Sequence, residues 1–324
     1  MQRALFPLLT AILVLAGCTV HEYPQGPAAG DPVVDLTLAL RPDKPLPEYQ
    51  TVDFVTKSGE QTSARYVIAL YKYNGDVLEE TPAVSMVRLE SSIANQSYTV
   101  QVPNAKYRVL VWADYAKADG NSLFYDAASF TEVSLTNGTY YGGEPLRDAF
   151  CVAQDLPLNI LQSNRAAYTA TLTLTRPNAY IKFIATDRDA FLKSLNGKVS
   201  TDLSKYSVKI SYPLFMPCTY NVSAGRSTDS RTGVSFTVPM EQLSDGTVSL
   251  GADWVFAAEE QNSVTVSLAF YTPEGALIAT VDNLDVPVCP GAVTTVRGPL
   301  LTNGMSNSGI SINPGFDGEF VIEI

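Results

Sequence analysis

The sequence predicts an all-β protein built from two tandem β-sandwich domains with few short helices. Three observations carry this. Short runs rich in Val, Ile, Tyr, Phe and Thr alternate apolar and polar residues with a period of two along most of the chain. Turn dipeptides punctuate them at Asn74-Gly75, Asn137-Gly138, Asp245-Gly246 and Pro290-Gly291. Helical periodicity is scarce. Many short strands with turns between them pack as sandwiches or barrels.

Taken in order, the first seventeen residues carry one charge, Arg3, then an apolar run from Leu5 to Leu15 and the small pair Ala16-Gly17. A basic start, a short apolar core and small residues before a cleavage point make a secretory signal peptide, too short for a comfortable membrane span. Leu15-Ala16-Gly17-Cys18 resembles a bacterial lipobox, so Cys18 is the expected lipidation site and the new N-terminus. Residues 18–32, rich in Pro, Gly and Ala, read as a tether.

The first domain, 33–167, opens with VVDLTLAL, which places Val34, Leu36, Leu38 and Leu40 on one face. RYVIALYKY, SYTVQV, KYRVLVWADY and TEVSL follow. The second domain, 168–324, holds YTATLTL, AYIKFIATD, YSVKISY, VSFTV, SVTVSLAFY, ALIATV, VTTVR and the terminal FVIEI. DRDAFLKSL, from Asp187, is a two-turn helix with a cap candidate. EPLRDAFCVAQDL, from Glu144, fits neither period. A hairpin echo, Tyr71-x3-Gly75-x-Val77-Leu78 against Tyr271-x3-Gly275-x-Leu277-Ile278, accords with two similar domains.

Composition excludes several functions. The net charge is −11, and an acidic chain has no electrostatic footprint for nucleic acid. It is not drawn to anionic head groups either, so lipid would have to do the anchoring. The only histidine is His21, on the tether. Imidazole-based triads and His-ligated zinc need a scaffolded histidine. Cys151, Cys218 and Cys289 form no CxxC; Cys218 and Cys289 can bridge if close, or all three are buried thiols. Asp282/Asp285 and Glu259/Glu260 are acids without a framing motif, and the GGEP at Gly142 is a turn, not a phosphate loop. No enzyme and no cofactor are expected. Trp112 and Trp254 sit in strand-like runs and read as core.

YRVLVWADY (107–115), LTRPNAYIKFIATD (174–187), VTTVRGPLLT (293–302) and GISINPGFDGEFVIEI (309–324), behind a lipobox and tether, resemble the fimbrillin-like lipoproteins of Bacteroidales, the subunits, anchors and accessory proteins of type V pili. The resemblance implies transthyretin-like sandwiches, transport to the outer membrane by lipid, exposure at the cell surface, and assembly with other pilus subunits by β-strand exchange. It also implies proteolysis after an Arg or Lys beyond the first strand in subunits that polymerise. Arg41, Lys57 and Arg65 are the candidate processing positions, with Val33–Leu40 as the removable strand and Phe320–Ile324 as a donor. Pro42 after Arg41 and Pro45 after Lys44 oppose cleavage there, which favours a retained anchor or accessory role; the 41–65 loop leaves processing open. The alternative is a glycan-binding or adhesin lipoprotein that does not assemble into pili.

Overall fold

The computed structural model describes residues 32–43, 59–140, 142–161, 165–195, 200–257, 262–303 and 319–323. Strands β1 (Val33–Pro42), β5 (Gln96–Pro103) and β10 (Arg165–Leu174) form one sheet in the order β10-β1-β5. Against it lies a sheet of β2 (Thr62–Asn74), β4 (Val84–Glu90), β6 (Lys106–Lys117) and β9 (Phe150–Pro157), ordered β4-β2-β6-β9, with the two-residue β3 (Val77–Leu78) folded back on β2. Both sheets bury their apolar faces in a shared core.

The second sandwich repeats this plan. One sheet comprises β11 (Asn178–Ala185), β17 (Val248–Phe256) and β20 (Val293–Gly298), extended by β16 (Glu241–Gln242) and β21 (Glu319–Glu323), in the order β16-β17-β11-β20-β21. The other runs β15-β12-β18-β19, from β12 (Ser207–Tyr212), β15 (Val234–Pro239), β18 (Asn262–Tyr271) and β19 (Leu277–Val288). In each half the opening strand, β1 or β11, is central. It pairs parallel with that half's closing strand, β10 or β20, and antiparallel with β5 or β17.

The repeat is thus topological, and the hairpin echo is not its trace. Tyr71–Leu78 lies where β2 turns into β3, whereas Tyr271–Ile278 joins β18 to β19, a different connection of the plan. The expected boundary at 167/168 falls inside β10, which pairs along its whole length with β1. YTATLTL therefore closes the first sandwich instead of opening the second.

A fifth sheet spans both halves: β7 (Tyr125–Asp126) and β8 (Val133–Leu135) from the first, β13 (Met216–Asn221) and β14 (Arg226–Arg231) from the second, ordered β14-β13-β8-β7. Helix α1 (Arg188–Ser194) forms where DRDAFLKSL predicts it, with Phe191 buried against the Tyr206 ring at 5.8 Å. Asp187 does not cap it. Its carboxylate instead accepts from Leu301 N (3.3 Å) and Thr302 N (2.6 Å) of α2 (Leu300–Asn303), fastening that turn. The ambiguous 144–156 stretch divides into a 3-10 turn, Pro145–Arg147, and β9.

The first strand is where alternation meets packing. Val34, Leu36, Leu38 and Leu40 are all fully buried, with Leu36 aligned between Val100 and Tyr168. At roughly 1.5–3 kcal/mol per buried aliphatic side chain, this strand contributes on the order of 6–12 kcal/mol, comparable to the whole net stability of a domain. We predict that Leu38→Ala lowers unfolding stability by about 2–5 kcal/mol in urea titrations. Thr171→Ala on the exposed face of the same sheet changes it by less than about 0.5 kcal/mol.

Candidate functional site

Two places bear on function: the bed of β1 and the joint between the sandwiches. The bed is walled by β5 and β10, and Pro32 and Asp43 close its ends through Asn104 N to Pro32 O and Asp43 N to Leu174 O, both 2.9 Å. Arg41 lies inside β1, aligned with Thr173. Its Nη1 donates to Leu40 O (2.8 Å) and Gln96 O (3.1 Å), so the Arg41–Pro42 bond is part of the sheet. A protease needs an unpaired extended segment, which this bond does not offer in the folded chain.

Arg65 is closer still to a structural cation. It is 6% exposed in the first third of β2. Its Nε and Nη2 hold Asp114 at 2.9 and 2.7 Å, while Nη2 also reaches Tyr125 O and Nη1 reaches Gly120 O. The fork-to-carboxylate geometry is the strong bidentate kind, and reaching Arg65 means taking β2 apart. Cys18, His21 and Lys57 lie outside the described residues, as do Glu259 and Glu260.

Of the two readings of the cysteines, a bridge between Cys218 and Cys289 is not formed. Cys151, Cys218 and Cys289 are free thiols: Cys218 is buried within β13, and Cys289 follows the end of β19. Burial pushes the Cys151 thiol up to about 12, against a hydrogen bond with Tyr220, so it is an inert core group. Asp282 and Asp285 are exposed on β19. Among the described residues no group of His, Cys, Asp or Glu is arranged to hold a metal, and no helix is long and apolar enough to cross a membrane. Every described tyrosine is at least partly buried, and both tryptophans are wholly so. The described tyrosines do not form an exposed aromatic platform.

The joint was not legible beforehand. Between β6 and β9 the first half sends residues 118–149 across the second. There Asp253, fully buried on β17, accepts from Arg147 Nη1 (2.5 Å), Tyr140 Oη (2.7 Å), Tyr212 Oη (2.8 Å) and Trp254 N (2.9 Å). Tyr140 and Arg147 come from the first half, Tyr212 and Asp253 from the second. The guanidinium also lies 4.4 Å from the Tyr140 ring centroid. Burial, then for Tyr212 the Asp253 charge, raises the Tyr140 and Tyr212 hydroxyls well above their ordinary range, so both stay donors.

Beside this network Trp112 and Tyr125 from the first half meet Phe256 from the second at centroid distances of 6.3 and 5.5 Å, and Tyr220 backs Phe256 at 5.6 Å. Asn178 Nδ2 ties Tyr125 Oη and Arg147 O together from the start of β11. Gly142 lets the crossing segment lie flat: a Cβ there would stand 2.1 Å from the Phe236 ring. The backbone joins too, since Thr219 pairs with Ser134 and Tyr220 with Val133. A second ion pair fixes the link between halves. Arg176, between β10 and β11, grips Asp148 through Nε (2.9 Å) and Nη2 (3.0 Å).

Removing Asp253 leaves Arg147 charged and buried, so Asp253→Ala should cost about 3–5 kcal/mol, and Tyr212→Phe about 1.5–3 kcal/mol, both read from chemical denaturation. Burial, outweighing Arg176, pushes Asp148 up to about 6 from 3.8. A carboxyl with a raised folded pKa binds its proton more tightly when folded, so its contribution declines as pH rises from about 4 to about 6 and is flat above. Across that window the unfolding free energy of the parent chain should fall relative to that of Asp148→Asn, read from chemical denaturation at a series of pH values.

Among curated proteins none matches. Solved structures it resembles include a candidate cell-adhesion protein from Bacteroides ovatus (10% identity, TM-score 0.46, 81% of this chain and 91% of that one). Others are a fimbrial assembly protein from Parabacteroides distasonis (12%, 0.37, 82% and 90%) and the C-terminally truncated tip fimbrial protein Mfa3 from Porphyromonas gingivalis (10%, 0.38, 79% and 81%). The profile of DUF6562, described as a family of unknown function, matches residues 30–324, and the chain belongs to that family.

Proposed function

We propose that this chain is a cell-surface structural lipoprotein of the fimbrillin-like kind, held at the outer membrane through Cys18 and joined to other pilus subunits by strand exchange at the bed of β1. The observation that carries the reading is the place of β1. It is the first of the described strands and starts fifteen positions after Cys18, it is central in its sheet, and its four inward side chains are fully buried. A strand so placed, once withdrawn, leaves an apolar groove with a free edge on either side. Such a groove takes a replacement strand through main-chain hydrogen bonds and alternate side-chain pockets.

The lipobox and the fimbrillin-like motifs support the surface location and the pilus context. The burial of Arg65 and the pairing of Arg41 oppose cleavage at those positions, so β1 would be displaced by an incoming strand while still joined to its lipid, which favours an anchor or accessory role over that of a processed stalk subunit.

The N-terminus of the protein recovered from cells tests this. We expect a lipid-blocked Cys18, a fatty-acid analogue incorporated in the parent chain and lost in Cys18→Ala, and release of that variant from the membrane. Undiminished label and membrane association in Cys18→Ala would sink the lipoprotein reading. A free N-terminus beyond Lys57 would replace the anchor with a processed subunit.

A further inference from the structure

The two sandwiches match strand for strand in their three-stranded cores, β5-β1-β10 and β17-β11-β20, but differ at the margins. In the second, β16 covers β17 and β21 covers β20. In the first, among the described residues, neither β5 nor β10 has a strand along its far side; the bridge of Cys151 on β9 to Thr175, one residue past the end of β10, is the contact that touches that edge. Natural edge strands are guarded by charge, proline, bulges or brevity. Edge strand β4 carries Arg88 and Glu90, β14 carries Arg226, Asp229 and Arg231, and β19 has Asp282, Asp285, Pro287 and two register shifts.

Strand β10 has none of these guards. It is ten residues long, and its register with β1 is unbroken from Arg165 to Leu174. It holds no proline and no charge after Arg165, and it exposes Ala167 and the β-branched Thr169, Thr171 and Thr173. Strand β5 is also uncharged, but it ends at Pro103, and its counterpart β17 receives only the two-residue β16. The counterpart of β10 is β20, which receives a five-residue parallel strand, from Val293 opposite Glu319 to Arg297 opposite Glu323. A strand that fits this kind of edge therefore exists in the chain itself. Residues 304–318 connect it to α2, a contour of up to about 50 Å at roughly 3.3 Å per residue.

We propose that the free edge of β10 accepts the C-terminal strand, residues 319–323, of a second copy of this chain, aligned parallel as β21 aligns on β20. This is addition to an intact sheet, with β1 left in place, and so it stands apart from exchange at the β1 bed. One parallel edge replaces another of the same kind, which makes the balance between a chain's own strand and a neighbour's depend on local concentration. A tethered strand has an effective concentration in the millimolar range, so exchange between copies belongs to crowded conditions.

The test uses the full chain and a synthetic peptide of residues 316–324 with a photo-reactive group in place of Val321. The chain's own β21 occupies β20, so the added peptide is left with β10. We expect cross-links, mapped by mass spectrometry, within residues 165–174. They should be lost with a scrambled peptide, and lost in T169K/T171K, which puts guarding charges on the edge of a chain whose circular dichroism is unchanged. Cross-links confined to β20, to the β1 bed or to other segments, or none on β10 at peptide concentrations up to about 1 mM, would overturn the proposal. The map on the parent chain decides this even if the lysine variant fails to fold.

Discussion

A carboxylate with no exposed surface has to be satisfied from within, because burying an unpaired charge costs more than most single contacts return. Asp253 meets that demand with donors from both sandwiches: Tyr212 and its neighbour's N–H from its own half, Arg147 and Tyr140 from the other. The joint can form only if the segment between β6 and β9 crosses over, and the rest of the architecture follows from that crossing. β8 is brought against β13, Trp112 against Phe256, and Arg176 against Asp148 in the link between halves. The hydrophobic cluster runs through both sandwiches without interruption. Two copies of one topological plan are thereby made into a single body.

That unity sets the mechanical character of the molecule. Beads on a flexible string bend at each link, whereas here the link residue Arg176 is 3% exposed and held by two bonds to Asp148. A pull on the first sandwich is carried to the second through main-chain pairing, an aromatic cluster and two buried ion pairs together.

Much of the fold was legible in the sequence, for physical reasons. Strands with one buried face, such as Val34-Leu36-Leu38-Leu40, print their burial as alternation. Strands without a clean face do not. β14, RSTDSR, lies at the margin and is polar on both sides; β13 begins Met-Pro-Cys; β17 interrupts its apolar run with Gly251 and Asp253. The two domains were visible but their boundary was not, because YTATLTL pairs with a strand more than a hundred residues earlier. The joint was invisible for the same reason. Arg147 and Asp253 are 106 positions apart, and a lone arginine beside a lone aspartate in two strand-rich runs carries no local signal. The burial of Arg65, a candidate processing position, could not be read locally because its partner Asp114 lies 49 positions away.

The central claim is that the two sandwiches unfold as one unit, and the chain provides its own reporters: Trp112 lies in the first half and Trp254 in the second, both buried. Equilibrium urea unfolding of Trp112→Phe and Trp254→Phe variants, each followed by the fluorescence of the remaining tryptophan and by far-ultraviolet circular dichroism, measures the two halves separately. A joined body predicts that, within each variant, the fluorescence and dichroism transitions coincide in midpoint and slope. A fluorescence transition clearly displaced from the dichroism transition, in either variant, would show that the halves unfold independently and contradict the account.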